Sequence, residues 1–239
     1  FNHLIDVWGA DHAGYIKRMQ SAIAAMSDNQ AHLDVKVCQM VKLMRGGQPV
    51  VMSKRAGSFV TLREVVDEVG KDVVRFMMLT RKNDAPLDFD FMTVKEKTRE
   101  NPVFYVQYAY ARIQSVCRNA LADEVVNEAD LTSSMLSTAA LSTLKHPQEM
   151  ALIRQLATLP RALEAAASFH EPHRVSIYLN DLAAEFHALW NLGKEHPELK
   201  FIQDDKSATR DRLALISAVA IALESGLDIL GVQPEKEMR

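Results

Sequence analysis

The hydrophobic pattern of this chain changes period once, near residue 95, and that change limits the architecture more than any other feature. Before it, short apolar runs alternate with helical faces. Leu4-Ile5-Asp6-Val7-Trp8 closes on Gly9, and Ile16, Met19, Ile23 and Met26 then recur at spacings of three and four, which predicts a strand followed by an amphipathic helix. A second β-like segment carries Val35 and Val37, runs to Met44 and meets Arg45-Gly46-Gly47-Gln48, whose glycine pair turns a hairpin into Val50-Val51. Thr61 with Glu64 has the capping-box pattern ahead of Leu62, Val65, Val66 and Val69, and Gly70 stops that helix. A further helix is expected over about residues 72–81, and residues 87–91 alternate as a short extended segment.

Beyond residue 95 only helical spacing remains. Asn101-Pro102 caps a helix whose stripe is Val103, Val106, Tyr110, Ile113 and Cys117. Leu152, Leu156, Leu159 and Leu163 share a face, with a bend expected at Pro160, and Val175, Leu179, Leu182, Phe186 and Leu189 share another. Ser207 or Thr209 caps a last long helix that Gly226 ends, while residues 121–146 form an exposed acidic connection with one short helix. The fold class is therefore α/β plus all-α, divided at 1–95 and 96–239.

Composition narrows the function classes. Nine Gly and eight Pro in 239 residues leave little room for a turn-rich all-β fold. Cys38 and Cys117 form no C-x-x-C, so neither a disulfide framework nor a cysteine zinc site is expected, and a reduced, cytoplasmic setting fits. No apolar run approaches the roughly 18 residues of a membrane helix, and no leader is recognisable. The chain opens at Phe1 inside a strand without an initiator Met, which reads as a piece of something longer. The net charge of −3 conceals a stretch, residues 36–63, with six basic residues and no acid. Phosphate is the natural ligand for such a field, although charge alone fits a solvated basic hairpin equally well.

Three motifs refine this. Met52-Ser53-Lys54-Arg55-Ala56-Gly57 lies between a strand and a capped helix, where small residues let backbone approach a ligand and a lysine neutralises charge on a transferring phosphoryl or nucleotidyl group. Gly9, Asp11 and His12 stand at the carboxyl end of a strand, where open α/β sheets bind ligands. Asp11 could accept from ribose hydroxyls or a guanidinium, or simply cap the following helix. Tyr105 and Tyr108 share a helix face with Arg112 one turn further along, which suits stacking on unpaired bases. Tyr110 and Phe186 are expected in the core. His173, His187 and His196 share no ligand spacing and read as ordinary surface or helix-end histidines, and no protein-bound metal is predicted.

The lysine segment resembles the Lys-Met-Ser-Lys-Ser loop of class I aminoacyl-tRNA synthetases, in the Met-Ser-Lys-Arg-Ala-Gly form of the bacterial arginyl-tRNA synthetase family. Val51 stands where that family has its first lysine, and Lys54 matches the second, catalytic one. Trp8-Gly9-Ala10-Asp11-His12 with Gly14-Tyr15, the stretch 101–112, the helix 181–191 and the segment from Gly226 to Val232 resemble the same family. The resemblance implies the trailing part of a class I Rossmann catalytic domain followed by an α-helical anticodon-binding bundle. It further implies Lys54 as catalytic residue, Gly9, Asp11, His12, Met52 and Ser53 at the ATP and substrate site, and Tyr105, Tyr108, Arg112, Trp190 and Met238 at the anticodon. ATP and L-arginine would be substrates, Mg2+ would accompany ATP, and tRNA(Arg) would be the partner of a monomeric cytoplasmic enzyme. The His-Ile-Gly-His element of such enzymes is missing, so this stretch by itself is expected to be inactive. The alternatives are a cysteinyl enzyme, which needs a zinc site, and a non-catalytic tRNA-binding paralogue, which has no use for Lys54.

Overall fold

A computed structural model describes residues 1–52 and 59–238. Strands β1 (His3–Gly9) and β2 (His32–Cys38) pair in parallel, with His3 opposite His32 and Gly9 opposite Cys38. Parallel neighbours need a crossover, and helix α1 (Ile16–Met26) supplies it. The segment expected to continue from Val35 to Met44 instead breaks after Cys38. There the Gln39 N–H donates to the Asn83 carbonyl at 2.8 Å and the Asn83 side-chain amide donates to the Val37 carbonyl at 2.7 Å. These bonds end the first sheet and release the chain into a second one.

In that second sheet β3 (Val41–Arg45) lies between β4 (Gln48–Pro49), antiparallel, and β5 (Leu87–Asp90), parallel. Gly46 and Gly47 take φ of 59° and 77°, the left-handed pair that a tight hairpin requires. Their N–H groups donate to the Asp90 carboxylate at 3.0 and 2.6 Å, which holds that carboxyl below its ordinary range. Helices α2 (Leu62–Val69) and α3 (Lys71–Met78) follow, the first closed by both bonds of the Thr61/Glu64 capping box. Val65, Val74, Phe89, Phe91 and Val94 form this region's own small core, while Phe76 of α3 turns the other way into the helical bundle.

The bundle consists of α4 (Pro102–Ala122), the short α5 (Ser133–Leu136), α6 (Pro147–Ala157), α7 (Leu159–Phe169), α8 (His173–Glu195) and α9 (Lys206–Leu230). Asn101 caps α4 as its sequence position suggests, accepting from the Val103 and Phe104 N–H groups and donating to the Val94 and Glu96 carbonyls. The core is built from residues such as Ile113, Leu152, Leu179, Leu182, Phe186, Ile216 and Leu223, all fully buried. Each is worth roughly 1.5–3 kcal/mol of transfer free energy.

Several local expectations change. Pro160 sits in the first turn of α7, so the chain breaks between two helices at Thr158 rather than bending within one. The connection 121–146 is not wholly exposed: Leu136 and Leu144 enter the core, and the Asp211 carboxylate accepts from the Leu141 and Thr143 N–H groups. Asp205, not Ser207 or Thr209, caps α9, while Thr209 is buried and bonded to Gln203. Gly226 does not end α9. A Cβ there would stand 2.6 Å from Leu179 Cδ2, so the glycine permits close approach of α8 and α9, and Gly231, at φ 68°, provides the stop. Contrary to the sequence reading, α9 is long and apolar enough to cross a membrane; its apolarity is accounted for by a face of Leu213, Ile216, Val219, Leu223 and Leu227 buried at the centre of the bundle.

Candidate functional site

Helices α4 and α8 present Arg112 and Trp190 to one another. The Arg112 guanidinium lies 4.1 Å from the Tyr108 ring centre on its own helix and 4.7 Å from the Trp190 ring centre, so it is layered between two aromatic faces. It also donates to the Tyr108 hydroxyl at 2.8 Å. These residues open on a cleft of about 510 Å³, lined in addition by Arg118, Lys194 and Met238. Three cations beside an indole and a thioether can take a flat heteroaromatic ring and the phosphate that follows it. Tyr108, Arg112, Trp190 and Met238 are thus brought together. Tyr105 is not: its ring packs against His187 with 4.5 Å between ring centres, outside the cleft.

The chain's last described residues reach the cleft because α4 grips them. The buried Gln107 side chain donates to the Gln233 carbonyl at 2.6 Å and accepts from the Glu235 N–H at 2.7 Å, as a neighbouring strand would. Arg118 adds a bond to the Lys236 carbonyl at 3.3 Å and lies 3.9 Å from the Glu237 carboxylate. Arg75 of α3 donates to the Leu230 carbonyl at 2.8 Å where Gly231 turns the chain. Gln107 carries a sequence signal, a polar residue on the apolar stripe of α4. Arg118 and Lys194 carry none that separates them from other surface cations.

His187 is not the surface histidine its sequence suggests. It is 5% exposed, donates from Nε2 to the Tyr105 carbonyl at 3.2 Å and accepts at Nδ1 from Arg112 at 3.4 Å, which assigns the neutral Nε2–H tautomer. Burial, with the Arg112 and Arg99 charges adding to it, holds its pKa down at about 4 against the pull of the Tyr105 carbonyl. His187 is a neutral spacer that orients Arg112.

A second group stands at the carboxyl end of β1. Asp11 and His12 are largely exposed side chains 3.7 Å apart, and a Cβ on Gly9 would come within 2.9 Å of Asp11 Oδ1. Glycine there leaves room for the carboxylate. Among the described residues, neither the short 3-10 helix Ala10–Tyr15, which contains Asp11, nor α1 receives a side-chain cap, so Asp11 is not spent on capping. Met52 is half-exposed, and Ser53 and Lys54 lie outside the described residues.

Among the described residues of the stretch 36–63, the positive charge is partly countered in space. Arg45 meets Glu68 through two bonds of 2.8 and 2.7 Å, Arg63 lies 3.9 Å from Asp67, and Lys36 donates to the Phe169 carbonyl. Arg45 and then Lys95 pull the Glu68 carboxyl down to about 2. The compensating acids come from α2, just beyond the stretch that the charge count covers.

Residues 106–238 match the DALR anticodon binding domain family. Over its whole length the chain is 60% identical to an arginine–tRNA ligase of Parvibaculum lavamentivorans and 55% identical to one of Ruegeria pomeroyi, covering 41% of each. Among solved structures, an arginyl-tRNA synthetase from Campylobacter jejuni aligns with a TM-score of 0.80 at 30% identity, over 98% of this chain and 47% of that one. The Thermus thermophilus arginyl-tRNA synthetase shares the fold at a TM-score of 0.70 and 22% identity, over 98% of this chain and 41% of its own. The chain spans about two-fifths of the length of the curated relatives it matches.

Proposed function

The chain belongs to the DALR anticodon-binding domain family, and from that premise we propose that its helical part reads the anticodon loop of tRNA(Arg) while residues 1–95 supply the trailing part of a class I catalytic domain of an arginine–tRNA ligase. The observation that carries this is the Tyr108–Arg112–Trp190 group on a cleft also lined by Arg118, Lys194, Glu237 and Met238. Single-stranded loops are read by stacking unpaired bases on aromatic and guanidinium planes, and this cleft offers the Trp190 indole, backed by Arg112, with Arg118 and Lys194 beside it for phosphate. The relatives favour the arginine enzyme over a cysteinyl one or a non-catalytic paralogue.

In the whole enzyme the arginine carboxylate attacks the α-phosphorus of ATP and pyrophosphate leaves; the terminal ribose hydroxyl of tRNA then attacks the adenylate's carbonyl and AMP leaves. No covalent nucleophile from the protein is required. Lys54 acts by placing a positive charge against the leaving pyrophosphate. Gly9, Asp11 and His12 border the nucleotide or the substrate guanidinium, and Met52 and Ser53 line the ATP site. Mg2+ would accompany ATP, neutralising charge on its phosphates. The setting is the cytoplasm, the enzyme a monomer.

The test is equilibrium binding of tRNA(Arg) to the full-length enzyme and its Trp190→Ala variant. Losing one stacking face is worth about 1–3 kcal/mol, so affinity should fall by at least roughly fivefold while kcat at saturating tRNA stays near wild type. Unaltered tRNA affinity would remove the cleft from the anticodon.

A further inference from the structure

We propose that His3, Asp34 and His170 form a binding site for a divalent transition-metal ion of the Zn2+ type, independent of the ATP and anticodon sites. His3 and His32 are direct partners on β1 and β2, and Asp34, two residues further along β2, falls on the same face. The turn between α7 and α8 brings His170 to them from the far end of the sequence. The Asp34 Oδ2 atom lies 3.0 Å from His3 Nε2 and 3.5 Å from His170 Nδ1, and all three donor atoms lie within 4.8 Å of one another.

Tetrahedral zinc with ligand bonds of about 2.0–2.1 Å has ligand-to-ligand edges of roughly 3.3–3.4 Å. Two edges of the triangle already have that length within a few tenths of an ångström; closing the third is a small side-chain rotation. Two imidazoles and a carboxylate are the donors that suit Zn2+, Co2+ or Ni2+ rather than Mg2+ or Ca2+. A fourth position remains for solvent, which the site admits because His3 is half-exposed and Asp34 partly so. His32 Nε2 sits 3.2 Å from the other Asp34 oxygen, Oδ1, and fixes the carboxylate's orientation, as partners of metal-ligating groups do.

His170 supports the assignment from the backbone side. It terminates α7 in the left-handed conformation, φ 53° and ψ 47°, a position that glycine occupies without strain and that is unfavourable for other residues. That position aims an imidazole at the carboxylate. A bound ion would clip the β1–β2 sheet to the bundle, beside the existing Lys36 bond to the Phe169 carbonyl. This site departs from the sequence expectation of no protein-bound metal.

The experiment is a titration of the tag-free full chain with Zn2+, read by competition with a chromophoric chelator, and with Co2+, read by its visible absorption. One equivalent of Zn2+ should bind, Tm should rise with free Zn2+, and Co2+ should give the intense band of a tetrahedral site. Asp34→Asn and His170→Asn, the latter chosen because asparagine tolerates the left-handed backbone, should abolish the stoichiometric site. His32→Ala should weaken it about 10–100-fold. Octahedral Co2+ spectra in the wild type, which need no variant to fold, would overturn the proposal. Equal Zn2+ affinity in wild type and correctly folded His170→Asn would do so as well, leaving an ordinary histidine–aspartate hydrogen-bond cluster.

Discussion

Arg112 stands 4.7 Å from the centre of the Trp190 ring, across the contact between α4 and α8, and its own Tyr108 covers its other face. A guanidinium is planar and can be sandwiched in this way; an ammonium cannot. Arg112→Lys therefore keeps the charge and loses the stack. Its affinity for tRNA(Arg) should drop about as far as that of a neutral replacement such as Arg112→Gln. If the lysine variant binds as tightly as wild type in filter-binding or fluorescence assays, charge alone is at work.

The buried imidazole of His187 makes stability depend on pH. Its ordinary value near 6.5 falls to about 4 in the fold, so between those values the unfolded chain takes up a proton that the folded one refuses. This contribution is complete above pH 6.5, is lost progressively as pH falls toward 4, and is constant below that. The full span corresponds to about 3 kcal/mol. Urea midpoints measured from pH 7.5 to 4 should decline in wild type and decline less in His187→Gln; identical slopes would contradict the assignment.

Glu149 and Arg212 form an ion pair at 3.0 Å with both side chains almost fully buried. The second Glu149 oxygen accepts the Lys145 and His146 N–H groups, and Arg212 also donates to the Lys200 carbonyl. Removing one partner strands the other, so Glu149→Met should cost about 3–5 kcal/mol in denaturant unfolding. The double replacement Glu149→Met with Arg212→Leu should cost less than the single one. A larger loss in the double variant would show that the pair contributes net attraction beyond its own desolvation.

The proposed function puts Lys54 in the chemical step and not in tRNA binding. In the full-length enzyme Lys54→Ala should lower arginine-dependent exchange of pyrophosphate into ATP by at least roughly 10²–10³-fold, the magnitude for removing one preorganised donor aimed at developing charge. Dissociation of tRNA(Arg) should change little. Exchange at the wild-type rate would take Lys54 out of the mechanism.

Where the signal is local, the sequence is a good guide. The Thr61/Glu64 capping box, the Asn101 cap, the glycine hairpin at Gly46-Gly47 and the buried Tyr110 and Phe186 are all seen. Each depends on residues within a turn or two of one another. The errors share the opposite property. The strand expected from Val35 to Met44 is split by Asn83, forty-odd residues later, and Gly226 looks like a helix end only until Leu179 of another helix is placed against it. His187 has the same spacing as a surface residue but lies under Tyr105.

The sequence by itself marked the change from mixed α/β to helical pattern and singled out the lysine motif and the Tyr105, Tyr108 and Arg112 face, because periodicity, caps and motifs are properties of neighbours along the chain, while Trp190 and Met238 came only from the family resemblance. Only the tertiary structure decided that Gln107 holds the C-terminal segment so that Met238 lines the same cleft as Trp190, and that Glu68 neutralises Arg45. It alone brought His3, Asp34 and His170 within reach of one ion. Those relations arise when buried apolar faces fix the helices and sheets against one another, and spacing along the sequence carries no record of which distant side chains that packing makes neighbours.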